Sequence, residues 1–316
     1  MATAEPTFMN SSGYIFSKID AIYLPVARMQ LLKVQREEHP TLTGTILIAE
    51  EGANIRLSGT PLQVSSFKSL IDETLFPNST TSIANYKDVP SSSSAPSLPR
   101  FLVKIKNHLI KFPVPMGSSP VASHINSSEM KDLLSQGATL LDTRNDYEYK
   151  LGKFKGAKTI DDLKTFQELP SKMKDITFPS APTQKHNHII MYCTGGIRCE
   201  KAQYMDFPPN TSLYQLDGGV LKYFEENPDG ELWDGGLFVF DERKCVNPRG
   251  EIVPVDCCFK CRFPVERNPA QAEKGAKTCQ ECGYDDFYNT RGEKRRRSTG
   301  KKRTHAQTET VSDNPT

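Results

Sequence analysis

Apolar positions along the first quarter of the chain change period several times, and each change marks an element. YIFSKI (14–19) reads as a strand. LPVARMQLLKVQREEH (24–39) carries apolar residues at helical spacing. TGTILIAEEGANIRLSG (43–59) returns to strand character on both sides of the turn-rich centre EEGAN, so it reads as two paired strands. PLQVSSFKSLIDETLF (61–76) is again helical, with proline at its start, and TSIANYKDV (81–89) is a closing strand.

This order over residues 13–86 (strand, helix, hairpin, helix, strand) is the ferredoxin-like, or acylphosphatase-like, α+β pattern. Residues 87–122 read as a connecting segment: a Ser/Pro-rich stretch, VPSSSSAPSLPR (89–100), then FLVKIKNHLIKF (101–112), which alternates apolar and basic residues as a half-buried strand would. Lys104, Lys106 and Lys111 form either a basic ridge or a solvated face.

From 123 to 232 strands and helices alternate, the mark of a doubly wound parallel sheet. NSSEMKDLLSQG (126–137) opens on a capping residue and closes on glycine, as a helix does. ATLLDTR (138–144), HIIMYC (188–193) and SLYQLDGG (212–219) read as strands. EKAQYMDF (200–207) and VLKYFEEN (220–227) read as helices. Ligands in such sheets bind beyond the carboxyl ends of the strands. The overall expectation is an α/β chain: a ferredoxin-like domain, a central doubly wound domain, a Cys-rich segment (233–290) and a basic tail (291–316) without a core of its own.

Composition sharpens this picture only in part. The 316 residues carry a net charge of +2 and 37% hydrophobic residues, so the molecule as a whole is not a polycation. No apolar run approaches the roughly 20 residues of a membrane span, and the first residues have no basic and apolar signal-peptide regions. A soluble cytoplasmic protein is expected. All eight cysteines lie beyond residue 192, which favours reduced thiols in catalysis or metal binding over a disulfide framework.

The chemistry concentrates in MYCTGGIRCE (191–200). Cys193 ends a strand, and Thr194, Gly195, Gly196 and Ile197 lead to Arg198. Glycines let such a loop curl until its N–H groups point inward, forming an anion cradle. The dipole of a following helix and the charge of Arg198 also favour thiolate over thiol. Cys193 is therefore the candidate nucleophile. Cys199, next to Arg198, is a disulfide partner or sulfur relay, or else a small packed residue. Glu200 and Lys201 fit a solvated helix face.

CTGGIR resembles the active-site loop of rhodanese domains, and LLDTRNDYEYKLGKFKGA (140–157) resembles their second motif. The loop is one residue shorter than the Cys-x5-Arg loop of related phosphatases, which favours sulfur over phosphate. By that resemblance Cys193 is a persulfide carrier, and Asp142 and Arg144 tie the loop region together by ion pairs. The longer runs YCTGGIRCEKA, GTILIAEEGANIRLSG, DTRNDYEY, YQLDGGVLKYFEE and LWDGGLFVFDER are similar to the rhodanese-containing tRNA uridine hydroxylases, over residues 44–243 and on to about 290. This resemblance implies a ferredoxin-like domain before the rhodanese domain, tRNA as substrate, dioxygen as co-substrate and Cys193 as the required residue. The sequence departs from the family at EGANIR (Ala53, Ile55), at KNHLIKF and at the serine-rich stretch, all on the side expected to meet RNA. No NAD or flavin motif and no two-histidine, one-carboxylate iron site is present.

Cys258-x2-Cys261 and Cys279-x2-Cys282, seventeen residues apart, have zinc-ribbon spacing, so a structural zinc is expected. RGEKRRRSTGKKR (291–303), with eight basic residues and one acidic, suits phosphate contacts, a nuclear-import signal (294–303) or a solvated tail. Two other functions fit the same residues. One is a sulfurtransferase in which Cys193 passes sulfur from a sulfane-sulfur donor to a thiol. The other is a non-enzymatic, zinc-bearing RNA-binding protein whose rhodanese unit senses oxidants.

Overall fold

The protein is described from a computed structural model over residues 8–77, 86–91, 95–117, 121–174, 176, 178, 186–258, 260–266, 279, 281–283 and 287–288. The basic run 291–303, with its nucleic-acid and nuclear-import readings, lies outside the described residues.

The N-terminal layer contains β1 (Phe8–Phe16), α1 (Leu24–Glu38), β2 (Thr43–Ala49), β3 (Gly52–Gly59), α2 (Pro61–Leu75), β4 (Lys87–Ser91) and β5 (Phe101–Ile105). The sheet order is β4-β1-β3-β2-β5; β1 runs antiparallel to both neighbours, and β5 lies parallel to β2. The strand–helix–hairpin–helix–strand order expected from the sequence is present. Its first strand begins at Phe8 rather than Tyr14, because Asn10 and Ser11 are buried in pairing despite their polarity. The closing strand expected over 81–89 is β4, with residues 81–85 outside the described residues, and Phe101–Ile105, placed in the connecting segment by the sequence, also enters this sheet.

The alternating run 101–112 is a strand only to Ile105. Lys104, Ile105 and Lys106 are all exposed, so the period-two pattern does not hold past Val103. In α2 a capping box at Thr60 and Gln63 fixes the start, and Val64, Phe67, Ile71 and Leu75 bury one stripe against the sheet.

The central layer contains β6 (Ser123–Ile125), α3 (Ser127–Ser135), β7 (Thr139–Asp142), α4 (Asp146–Tyr149), β8 (Gly152–Phe154), α5 (Leu169–Met173), β9 (Asn187–Tyr192), α6 (Cys199–Ala202), β10 (Thr211–Leu216) and α7 (Gly219–Glu226). Its parallel sheet has the order β6-β10-β9-β7. Strand β9 shows why both faces need helices. Ile189, Met191 and Cys193 point into one core with α5 and α6, while Ile190 and Tyr192 point into the other with α3 and α7.

The helix expected over 200–207 is one turn, α6. After Ala202 the chain leaves the helix and Met205 turns into the core.

Beyond it, β11 (Trp233–Gly235) pairs with β8, and β12 (Leu237–Phe238) pairs with β13 (Cys245–Val246). β14 (Val255–Cys258) is flanked by β15 (Pro264–Glu266) and β16 (Phe287–Tyr288). No described helix is long and apolar enough to cross a membrane.

The N-terminal and central layers are clasped by residues expected to face solvent. Lys201 is only 4% exposed; it pairs with Glu51 at 2.9 Å and donates to the Ile110 carbonyl at 2.8 Å. Glu200 accepts from the Tyr14 hydroxyl at 2.9 Å. The helix-wheel position is the same in both readings; the docked neighbouring layer is what makes this face interior.

Candidate active site

Cys193 follows the last residue of β9 at the carboxyl edge of the parallel sheet and is fully buried. The loop behind it is held by α7. The Val220 N–H donates to the Cys193 carbonyl and the Leu221 N–H to the Thr194 carbonyl, both at 3.0 Å. This close docking needs glycines. Gly219 has φ +63°, and a Cβ there would sit 2.4 Å from the Cys193 carbonyl oxygen.

The loop curls as its glycines predict, and the Gly196 N–H reaches the Cys193 sulfur at 3.1 Å. Burial opposes ionisation of that thiol. The hydrogen bond from the Cys199 thiol, the charge of Arg198 and loop N–H groups outweigh it and lower Cys193 to about 5. Because α6 is a single turn, the stabilisation comes from these contacts rather than from the dipole of a long helix. Cys199 moves the other way, pushed well up by burial and by its charged neighbour.

Arg198 does not point freely at the sulfur. Its guanidinium grips Glu148 through two hydrogen bonds of 2.5 and 2.7 Å, and Thr194 Oγ1 donates to the same carboxylate at 3.1 Å. Burial alone would raise Glu148, but Arg198 and these bonds hold it below the usual carboxylate range. Glu148 lies inside the quoted DTRNDYEY run, yet its role as the counter-ion of the loop was not read there. A one-turn helix, α4, brings it under the loop.

Asp142 and Arg144 pair with each other at 2.6 Å, fully buried one layer below. Asp142 also accepts from the Tyr192 hydroxyl at 2.6 Å, and Arg144 donates to the Gly152 carbonyl at 2.8 Å. They brace the end of β9 without touching the loop arginine.

Cys193, Thr194, Gly195, Ile197 and Arg198 form the floor of a cavity of about 380 Å³. Its walls come from three parts of the chain. Tyr14, Arg56 and Lys87 come from the N-terminal sheet, Tyr147 from α4, and Phe240 and Arg262 from the C-terminal part.

Sequence reading missed Tyr14, Lys87 and Phe240, because no local pattern shows that distant strands converge here. Lys87 is 2% exposed, and burial lowers it to about 8. Burial pushes Tyr14 well up, while hydrogen bonds from His124, Tyr14 and Gln215 hold Glu200 below the usual carboxylate range against the cost of its burial.

The four expected metal cysteines do converge. Cys258 lies 3.6 Å from Cys282 and Cys261 lies 3.6 Å from Cys279, and all four sulfurs lie within 4.8 Å of one another. A tetrahedron with metal–sulfur bonds of about 2.3 Å has edges of about 3.8 Å, so the set fits one metal ion. The two knuckles have the same geometry. The residue after each pair, Arg262 or Gly283, has positive φ and donates its N–H at 2.8 Å to the carbonyl of the first cysteine. The cluster is not part of the cavity wall, but Arg262 links the two by reaching the Tyr147 hydroxyl at 3.4 Å.

Residues 126–226 match the family model for a rhodanese-like domain. Among curated proteins, the tRNA uridine(34) hydroxylase of Teredinibacter turnerae is 34% identical over 78% of this chain and 75% of its own length. The tRNA uridine(34) hydroxylase of a Picosynechococcus species is 36% identical over 71% of this chain and 74% of its own. Among solved structures, a thiosulfate sulfurtransferase from Pseudomonas aeruginosa aligns at 16% identity over 33% of this chain and 19% of that one, with a TM-score of 0.24.

Proposed function

The chain belongs to the tRNA uridine(34) hydroxylase family, and we propose that it hydroxylates the wobble uridine of tRNA at C5, with dioxygen as oxidant and Cys193 as the catalytic residue. The observation that carries this reading is the cavity. Cys193, its thiol lowered to about 5, sits on a floor walled by Tyr14, Tyr147 and Phe240 and by cationic side chains. Enzymes that act on a base take it out of the stack and hold it between aromatic groups. The volume of about 380 Å³ lies in the range of small-ligand pockets, about 300–1,000 Å³. Arg56, Lys87 and Arg262 suit the phosphates of an anticodon loop. A cytoplasmic setting follows from that substrate.

Thr194, Gly195, Gly196 and Ile197 are read as the backbone cradle for negative charge developing at sulfur or substrate. Arg198 keeps a positive charge nearby while Glu148 fixes its position. Asp142 and Arg144 are supports that hold the strand end still. A zinc ion held by Cys258, Cys261, Cys279 and Cys282 would be structural, because four thiolates complete its tetrahedron. It would cross-link the C-terminal part that contributes Arg262.

The decisive experiment is nucleoside mass spectrometry of tRNA from cells lacking the gene, rescued with wild type or with Cys193→Ser. Loss of 5-hydroxyuridine derivatives restored only by wild type supports the reading. Unchanged 5-hydroxyuridine with a fall in thiolated nucleosides overturns it in favour of sulfur transfer.

A further inference from the structure

Cys199 is fully buried, does not line the cavity, and has its thiol on the Cys193 sulfur. Whatever it does chemically must pass through Cys193. Its other polar neighbour is Thr143, whose Oγ1 lies 3.6 Å from the Cys199 sulfur and 2.9 Å from the Tyr192 carbonyl. A hydroxyl has one proton. That proton is shared between the Tyr192 carbonyl and the Cys199 sulfur, so Thr143 gives Cys199 at most one weak, divided hydrogen bond.

Cys193, by contrast, receives the Gly196 N–H. The N–H on Cys193 favours the negative charge there, and Cys199, pushed up by its burial and by that charge, keeps the remaining proton. This is the arrangement of an attacking thiolate and a waiting partner thiol.

We propose that Cys199 is the resolving thiol of Cys193: after dioxygen or a peroxide transfers an oxygen atom to the Cys193 sulfur and makes a sulfenic acid, Cys199 condenses with it to form a Cys193–Cys199 disulfide. In this step the S–O bond breaks, the S–S bond forms, and the oxygen leaves as water with the hydroxyl hydrogen and the Cys199 proton. Resting on the hydroxylase reading, one oxygen atom of dioxygen goes to C5 and the other to the Cys193 sulfur, so forming this disulfide accounts for the two electrons that hydroxylation requires. The C5–H bond becomes C5–OH, the second oxygen atom becomes water, and two thiols become one disulfide. A dithiol reductant returns the pair to its reduced state by exchange. Cys245, also buried and outside the metal cluster, is a poor competitor, since burial pushes it to about 12.

The test uses the full-length, reduced protein and hydrogen peroxide, followed by thiol blocking and tryptic mapping. Trypsin cuts after Arg198, between the two cysteines, so a disulfide joins two otherwise separate peptides. The linked pair is expected in wild type. In Cys199→Ser it is lost, and Cys193 goes on to the sulfinic acid or is trapped as the sulfenic acid by dimedone. Cys199→Ala, which also removes the hydroxyl, should behave in the same way.

Sulfinic acid on wild-type Cys193 with no linked peptide overturns the proposal. A second measurement adds tRNA and air without a reductant. One disulfide per 5-hydroxyuridine is expected, and turnover with both thiols still free overturns the electron-donor role. If no 5-hydroxyuridine forms even with a dithiol present but peroxide still links the peptides, the hydroxylase reading fails and the resolving role of Cys199 stands.

Discussion

Arg198 and Glu148 form a two-pronged ion pair beneath the loop, Nη1 to Oε2 at 2.5 Å and Nη2 to Oε1 at 2.7 Å, both side chains almost wholly buried. The pair restrains the cation next to the thiolate and keeps it from collapsing onto the sulfur. Glu148→Gln leaves a buried guanidinium without its counter-charge, and the expected loss is about 3–5 kcal/mol, read from the urea midpoint. The pH dependence has a definite sign. Glu148 is lowered in the folded state, so its contribution is complete above the ordinary carboxylate value of 4.5 and is lost as pH falls through the folded pKa. Glu148→Gln should therefore flatten the acid limb of stability, and an unchanged limb would contradict this role.

Alkylation of Cys193 by iodoacetamide should follow its lowered pKa. The thiolate fraction rises through about pH 5 rather than near the ordinary value of 9.0, so the rate is flat from pH 6.5 to 8 and falls below about 5. A rate that keeps climbing tenfold per pH unit up to pH 8 would show an unactivated thiol. Mapping the adduct to Cys193, and its absence in Cys193→Ser, assigns the signal.

Two glycine substitutions separate space from strain. Gly219→Ala places a Cβ 2.4 Å from the Cys193 carbonyl oxygen and at φ +63°. It should cost more than the roughly 1–2 kcal/mol of the left-handed conformation and shift the loop away from α7. Gly195→Ala meets only Leu221 Cδ1, at 3.9 Å, and its thermal midpoint should stay near wild type. Equal effects of the two would refute the docking of α7 on the loop carbonyls.

One metal ion per chain should be released when the cysteine cluster is titrated with a mercurial in the presence of a zinc-sensitive dye. Cys258→Ser and Cys282→Ser should each abolish that release. Chelation should also weaken the cavity wall, because Arg262 and Glu281 sit on the knuckles, and Glu281 pairs with Lys164 at 2.8 Å on the central layer. Protease cleavage beyond residue 246 after chelation, and not before, is the readout.

The short elements show where sequence reading reached its limit. Strand β9 and helix α2 were legible because their apolar positions repeat locally. Residues 101–112 alternate just as clearly, yet only five of them form a strand, β5. Alternation marks a strand face but does not provide a partner, and β5 ends opposite Ile48, one residue before the end of β2. Helix α6 stops after one turn although EKAQYMDF has ordinary helix formers. Beyond Ala202 the chain leaves the helix and Met205 turns into the central core.

The sequence by itself determined the order of the main strands and helices, the loop that carries Cys193 and Arg198, and the four cysteines that converge. Each of these is written in short runs of the chain whose spacing is set by backbone geometry. Only the tertiary structure decided what surrounds them: that Glu148 holds Arg198, that Lys201 faces Glu51 rather than water, that Tyr14, Lys87 and Phe240 close one cavity over Cys193, and that Cys199 faces the Cys193 sulfur rather than the cavity. The reason is physical. A buried charge or thiol takes its character from its nearest partners, and those partners arrive from strands up to 186 residues away, as Tyr14 does at Glu200.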